Sequence, residues 1–91
     1  MKSLHKALDI IDAVSKLGRG GIREISQATG FPPATTHRIV STLVKRQYFH
    51  QDPVTKNYSL SFRFLELGIK VQQQFDLTII AHPHLQQLMS I

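Results

Sequence analysis

The sequence predicts a mainly α fold, three short helices closed by a two-stranded β hairpin and followed by further helices. Three observations predict it. Apolar residues recur at three- and four-residue spacing in successive segments; Gly or Pro punctuates most segment ends; and two β-prone runs flank the turn-rich stretch 52–57. The 91-residue length admits one small domain plus a connecting segment, since domains typically run about 100–200 residues. A hydrophobic share of 42% with only five Gly and four Pro excludes collagen-like, low-complexity and wholly disordered chains. Cysteine is absent, which removes disulfide scaffolds, cysteine zinc sites and thiol catalysis and is compatible with a reducing cytoplasm. At this size roughly 60% of the unfolded chain's surface is buried on folding, so a partner subunit would add stability.

The first helix is expected over 4–17. Leu4, Ala7, Leu8, Ile11 and Val14 form its inner stripe, Asp9, Asp12 and Lys16 lie off it, Ser3 is the candidate N-cap, and Gly18 is the left-handed stop. Gly20 and Gly21 read as a flexible connection. A second helix follows over 23–29, with Ile22, Ile25 and Ala28 inward, Gly21 as cap and Gly30 as terminator. Pro32 is held extended by the proline after it, and Pro33 suits a first helical position. The third helix, 33–46, lines one side with Thr36, Ile39, Val40, Leu43 and Val44 and the other with Thr35, Arg38, Ser41, Thr42 and Lys45.

Two helices joined through a tight Gly-containing turn, the second carrying hydroxyls and cations on its outer face, match a helix-turn-helix, and Ser26 is small enough for the helices to approach. Residues 48–51 and 58–60 then read as the strands of a wing whose turn presents Lys56 outward. The pattern is a winged helix-turn-helix followed by linker helices. The first of these starts at Phe62, with Ser61 as candidate cap, and is apolar on more than one side through Phe64, Leu65, Leu67, Ile69, Val71 and Phe75. One side is expected to pack on the domain and the other on a second subunit. Asp76 is a candidate cap for a further helix over 77–89, bent at Pro83. The expected divisions are a DNA-binding domain at 1–61, a linker and dimerisation helix at 62–76, and the start of a second domain at 77–91.

Thr29-Gly30-Phe31-Pro32, Thr35-Thr36-His37-Arg38, Thr42-Leu43-Val44, Asp52-Pro53 and Leu65-Glu66-Leu67-Gly68 occur in this order. Over nearly its whole length the sequence therefore resembles the N-terminal part of an IclR-type bacterial transcriptional regulator. The resemblance implies a winged helix-turn-helix joined by a helical linker to a larger effector-binding domain, in dimers or tetramers. Ala81-His82-Pro83-His84-Leu85 resembles the opening helix of that second domain, so the small-molecule effector pocket is expected outside these residues. The family pattern has serine where Ala34 stands, a possible phosphate contact, and glycine where Gln47 and Lys56 stand. The last two substitutions put non-glycine residues where positive φ is wanted, a role that Asn57 could take in the wing by a shifted turn.

Charge is concentrated in the same region. Residues 31–63 carry Arg38, Lys45, Arg46, Lys56 and Arg63 against a single acid, Asp52, within a chain of net charge +5. A helix in the major groove needs donors for guanine, contacts for thymine methyls and anchors for phosphate, and Arg38, Thr35, Ser41 and Thr42 supply those chemistries. Arg38 is the first candidate for a base contact, its alternatives being a phosphate clamp or an intramolecular ion pair. Thr35 reads either as a contact or as a hydroxyl serving the helix start. Lys45 and Arg46 read as phosphate contacts or as cations suited to the helix dipole. Lys56 reads as a phosphate or minor-groove contact or as a solvated turn lysine. His37 faces phosphate or packs half-buried. Arg63, near a helix start, opposes the dipole, a cost that a phosphate would offset.

The expected function is sequence-specific binding of double-stranded DNA by a homodimer that regulates transcription in the bacterial cytoplasm, as repressor or activator; the alternative is a winged-helix module for protein association. No cofactor is expected. His82 and His84 lack the cysteine or carboxylate companions of a metal site. Catalysis is not expected, because no nucleophile, base and orienter fall into a spaced constellation, and Gly18-Arg19-Gly20-Gly21 lacks the context of a phosphate loop. The longest uncharged run, 77–91, is too short and polar to span a membrane, and Asp9 and Asp12 interrupt any signal-peptide core.

Overall fold

The computed structural model describes residues 2–75, in the order α1 (Lys2–Leu17), α2 (Ile22–Thr29), α3 (Pro33–Lys45), β1 (Phe49–Gln51), β2 (Tyr58–Leu60) and α4 (Arg63–Gln74). The helix expected over 77–89, its cap Asp76, and His82 and His84 lie outside the described residues. Three helices and an antiparallel pair with register Phe49↔Leu60 enclose a core of Ile10, Val14, Ile25, Ile39, Val40, Phe49 and Tyr58. Fully burying one such side chain contributes about 1.5–3 kcal/mol. No helix among the described residues is long and apolar enough to cross a membrane.

The inner stripe of α1 differs from the expectation. Ile10, Ala13 and Val14 are buried, with Ala7 and Ile11 partly so, whereas Leu4 and Leu8 are 54% and 51% exposed. This helix is apolar on two sides, so spacing alone permits two stripes, and only contact with α2 and α3 selects between them. Ser3 lies inside the helix and is therefore not its cap, which would need non-helical backbone. Ala28 is likewise exposed, because Ile25 alone of α2 reaches the centre.

Gly18 ends α1 at φ 81°, as expected. The stretch after it is not loose: buried Gly20 exchanges two backbone hydrogen bonds with Tyr58, of 3.0 and 2.8 Å, which ties the α1–α2 connection to β2. The Gly21 amide donates to the Glu24 carboxylate at 2.9 Å, capping α2. In the turn before α3, Gly30 is left-handed and the Ser26 hydroxyl donates to the Phe31 carbonyl, so Ser26 locks the turn as well as permitting close approach.

Helix α3 closes with a Schellman motif: the Gln47 amide donates to the Val44 carbonyl at 2.9 Å and the Tyr48 amide to Leu43 at 2.8 Å. Gln47 and Lys56 both have φ 67°, so the positions where the resemblance calls for glycine are indeed left-handed, at a cost of about 1–2 kcal/mol each. Asn57 does not take the role in the wing, because the Lys56 amide is already fixed on the Asp52 carbonyl at 2.8 Å. The α4 expectation also needs correction. Only the first turn of the helix rests on the domain, where Phe64 packs partly buried against the core; no residue of α4 is fully buried, and Leu65, Leu67, Ile69, Val71 and Phe75 beyond it are exposed. Ser61 lies one residue before the cap position, yet its Oγ still accepts from the Arg63 amide at 3.2 Å.

Candidate nucleic-acid interface

Helix α3 is anchored from one side only. Thr36, Ile39 and Val40 are buried, and Leu43 and Val44 pack partly against the core, which turns the remaining positions outward. Ala34, His37, Arg38, Ser41, Thr42, Lys45 and Arg46 are exposed and Thr35 is half-buried, so the helix presents the surface read from its pattern. For His37 this removes the packing alternative.

The start of α3 is uncapped by side chains. Pro32 occupies the cap position and Pro33 the first turn, so the exposed methyl of Ala34 and the hydroxyl of Thr35 flank amides without a side-chain acceptor at the cap. Thr35 thus does not serve as the N-cap. Farther along, the Thr42 hydroxyl donates to the Arg38 carbonyl at 3.2 Å, which leaves its oxygen lone pairs and methyl for a base or phosphate. At the other end, Lys45 and Arg46 place two cations where the helix dipole is negative.

The wing turn is held by Asp52, whose Oδ1 accepts from the Val54 and Thr55 amides at 2.7 and 3.0 Å. Those two bonds hold its carboxyl below the usual carboxylate range. The turn displays Lys56, exposed, beside Val54, which is 86% exposed. Arg63 is placed differently from the other predicted residues. It is half-buried, its guanidinium lies 4.9 Å from the centre of the Tyr48 ring, and that adjacent guanidinium lowers the Tyr48 hydroxyl's pKa.

Two features of this surface escaped sequence reasoning. Arg23 and Gln27, one turn apart on α2, line a cleft that opens onto Pro33; their i, i+4 spacing on a polar face was the available signal. Ser3, Leu4 and Ala7 of α1 line a second cleft with Arg38, Ile39 and Thr42, and Lys6 Nζ reaches 5.8 Å from the Phe31 ring centre. The second proximity does not follow from spacing, because it joins α1 to α3 across about thirty residues, and the first depends on how the turn at Gly30 sets α2 against α3. Among the described residues no group of three or more His, Asp or Glu side chains converges as a metal site.

The sequence and the fold have counterparts among known proteins. The chain is 38% identical over 86 residues to the HTH-type transcriptional regulator TsaQ1/TsaQ2 of Comamonas testosteroni, covering 94% of this chain and 31% of that protein. It is 29% identical over 91 residues to the HTH-type transcriptional regulator KdgR of Dickeya chrysanthemi, covering 100% and 30%. The crystal structure of an IclR family transcriptional regulator from Brucella abortus superposes with a TM-score of 0.79 at 27% identity, over 91% of this chain and 32% of that one. The chain thus spans about a third of the length of these relatives. Residues 3–53 match the IclR helix-turn-helix domain family, and with a winged fold shared with its solved members, the chain belongs to that family.

Proposed function

We propose that this chain is the DNA-binding portion of a transcriptional regulator, that α3 enters the major groove, and that the chain acts as a homodimer in the bacterial cytoplasm. One observation carries the reading: the face of α3 opposite its buried Thr36, Ile39 and Val40 is an unbroken run of exposed hydroxyls and cations. In this reading Arg38 donates to a guanine edge, Ser41, Thr42 and Thr35 contact bases or sugar-phosphate, and Ala34 touches a thymine methyl. His37, Lys45, Arg46 and, from the wing, Lys56 contact phosphates. Residues 1–61 form the DNA-binding unit, 62–76 the linker, and 77–91 the beginning of an effector-binding domain. The exposed apolar residues Leu65, Ile69 and Val71 of α4 support the pairing of two copies, which would place two recognition helices on two half-sites. The relatives are regulators and not enzymes, and no catalytic role is assigned to any residue.

Selection of bound duplexes from a random pool, followed by salt titration of the winner, tests the reading. Paired half-sites should be recovered, and log K should fall with log salt at a slope near −0.9 per neutralised phosphate. Lys45→Ala should lower that slope by about one unit and weaken all sequences alike. A flat titration with no enriched sequence would refute DNA binding and leave protein association as the function.

A further inference from the structure

The end of α3, the base of the wing and the start of α4 meet in one knot. The Ser61 hydroxyl donates to the Gln47 carbonyl and the Ser61 amide to the Tyr48 carbonyl at 3.0 Å, while Ser61 Oγ accepts from the Arg63 amide at 3.2 Å. Above these bonds the Arg63 guanidinium covers the Tyr48 ring at 4.9 Å, and that ring meets Phe64 at 5.6 Å with a 57° tilt. Apart from the local Ser61–Arg63 bond, each contact joins the residues that close α3, Gln47 and Tyr48, to those that open α4, and α4 has no fully buried residue along its length. While α4 stays helical, each residue is set by the turn before it, so the packing of its first turn sets the direction of the rest.

The chemistry of Arg63 fits such a role. A cation in the first turn opposes the helix dipole, so its position needs a compensating contact, which the electron-rich ring supplies. A planar guanidinium can lie over the ring in a way that an ammonium cannot reproduce. Its Nε is enclosed with no acceptor among the described residues, so the ring face is the contact that holds this nitrogen's end of the group. We infer that the Arg63–Tyr48–Phe64 stack is a positioning clamp: it sets the angle between α3 and α4, and thereby the half-site spacing that a pair of chains accepts. Arg63 and Tyr48 then act through geometry, without touching DNA. The inference rests on the homodimeric DNA-binding reading above.

Two measurements test it and separate its failure from that of the reading. First, the full chain, Arg63→Ala, Arg63→Lys and Tyr48→Leu are each put through duplex selection with half-site spacing varied. Arg63→Ala and Tyr48→Leu should recover the wild-type half-site and bind a single half-site within about twofold of wild type. Their preference for the best spacing over one shifted by about two base pairs should fall from about tenfold to about twofold, with Arg63→Lys intermediate. Second, because the chain lacks cysteine, spin labels at Ser15→Cys and Lys70→Cys, both exposed, report the α1–α4 distance without DNA or partner. The distribution should be narrow in the wild type and broad in Arg63→Ala, with unchanged circular dichroism in both. Unchanged spacing preference, or an equally narrow distribution, would overturn the clamp. A loss of single-site affinity with a salt slope lower by about one unit would instead make Arg63 a phosphate contact. Wild-type recovery of unpaired half-sites only would overturn the dimeric reading, and the spacing role with it, even if the label distances responded.

Discussion

Helices α3 and α4 are nearly equal in length, 13 and 12 residues, and both carry apolar residues at helical spacing, yet the protein uses them in opposite ways. The first buries Thr36, Ile39 and Val40 and frees a polar face; the second fully buries no residue, meets the core only through Phe64, and leaves Leu65 57%, Ile69 44% and Val71 49% exposed. An isolated helix of about 12 residues is marginal in water, so α3 owes its stability to the core beneath it and α4 needs a second surface. Apolar periodicity thus identifies a helix without identifying what covers it.

The largest effect should come from breaking the anchored face. Ile39→Ala should destabilise the chain by about 2–4 kcal/mol in denaturant unfolding, whereas Ile69→Ala should cost less than about 1 kcal/mol in dilute, unpaired chain. Equal losses would mean that α4 is as well packed as α3. On the free face, Arg38→Ala should leave unfolding within about 0.5 kcal/mol of wild type but weaken the selected duplex by about 1–3 kcal/mol and relax one base position. A uniform loss over all sequences would make Arg38 a phosphate clamp. Thr36 sharpens the contrast from within, since its hydroxyl is fully buried with no hydrogen-bond partner among the described residues. Thr36→Val keeps the branched shape and removes the unpaired polar atom, so unfolding should become about 1 kcal/mol harder with DNA affinity unchanged.

The smallest effect belongs to the wing. The two amides on Asp52 hold its folded pKa below that of the unfolded chain, so its contribution is present above the unfolded value, about 3.9, and is lost as pH falls through the folded one. Asp52→Asn should therefore flatten the acid limb of a melting-temperature profile below about pH 4, leaving the neutral region little altered. An acid limb that stays as steep would assign the acid sensitivity to other carboxylates.

Much of this molecule is legible from local chemistry. Gly18 and Gly30 stop helices because the left-handed backbone suits them, Pro33 opens α3, and the polar face of α3 follows from a 3.6-residue period acting on residues 33–46. Legibility fails where two solutions satisfy the same spacing. Leu4 and Leu8 fit a stripe on α1 as well as Ile10 and Val14 do, and Ala28 fits the inner side of α2. Gln47 and Lys56 illustrate a different limit: their left-handed backbone is imposed by hydrogen bonds to Val44 and Asp52, against residue preference.

The candidate surface divides along the same line. Arg38, Ser41, Thr42 and Lys45 share a helix, so their common face is written in their order along the chain. The approach of Arg23 and Gln27 to Pro33, of Ser3 to Arg38, and of Arg63 to Tyr48 joins separate elements. Sequence alone determined the kind of fold and the outward polar face of α3, because periodicity and backbone restriction act between near neighbours. Tertiary structure decided which stripe of α1 is buried, how Gly20 is tied to Tyr58, and where α4 leaves the domain, because these depend on contacts between distant segments.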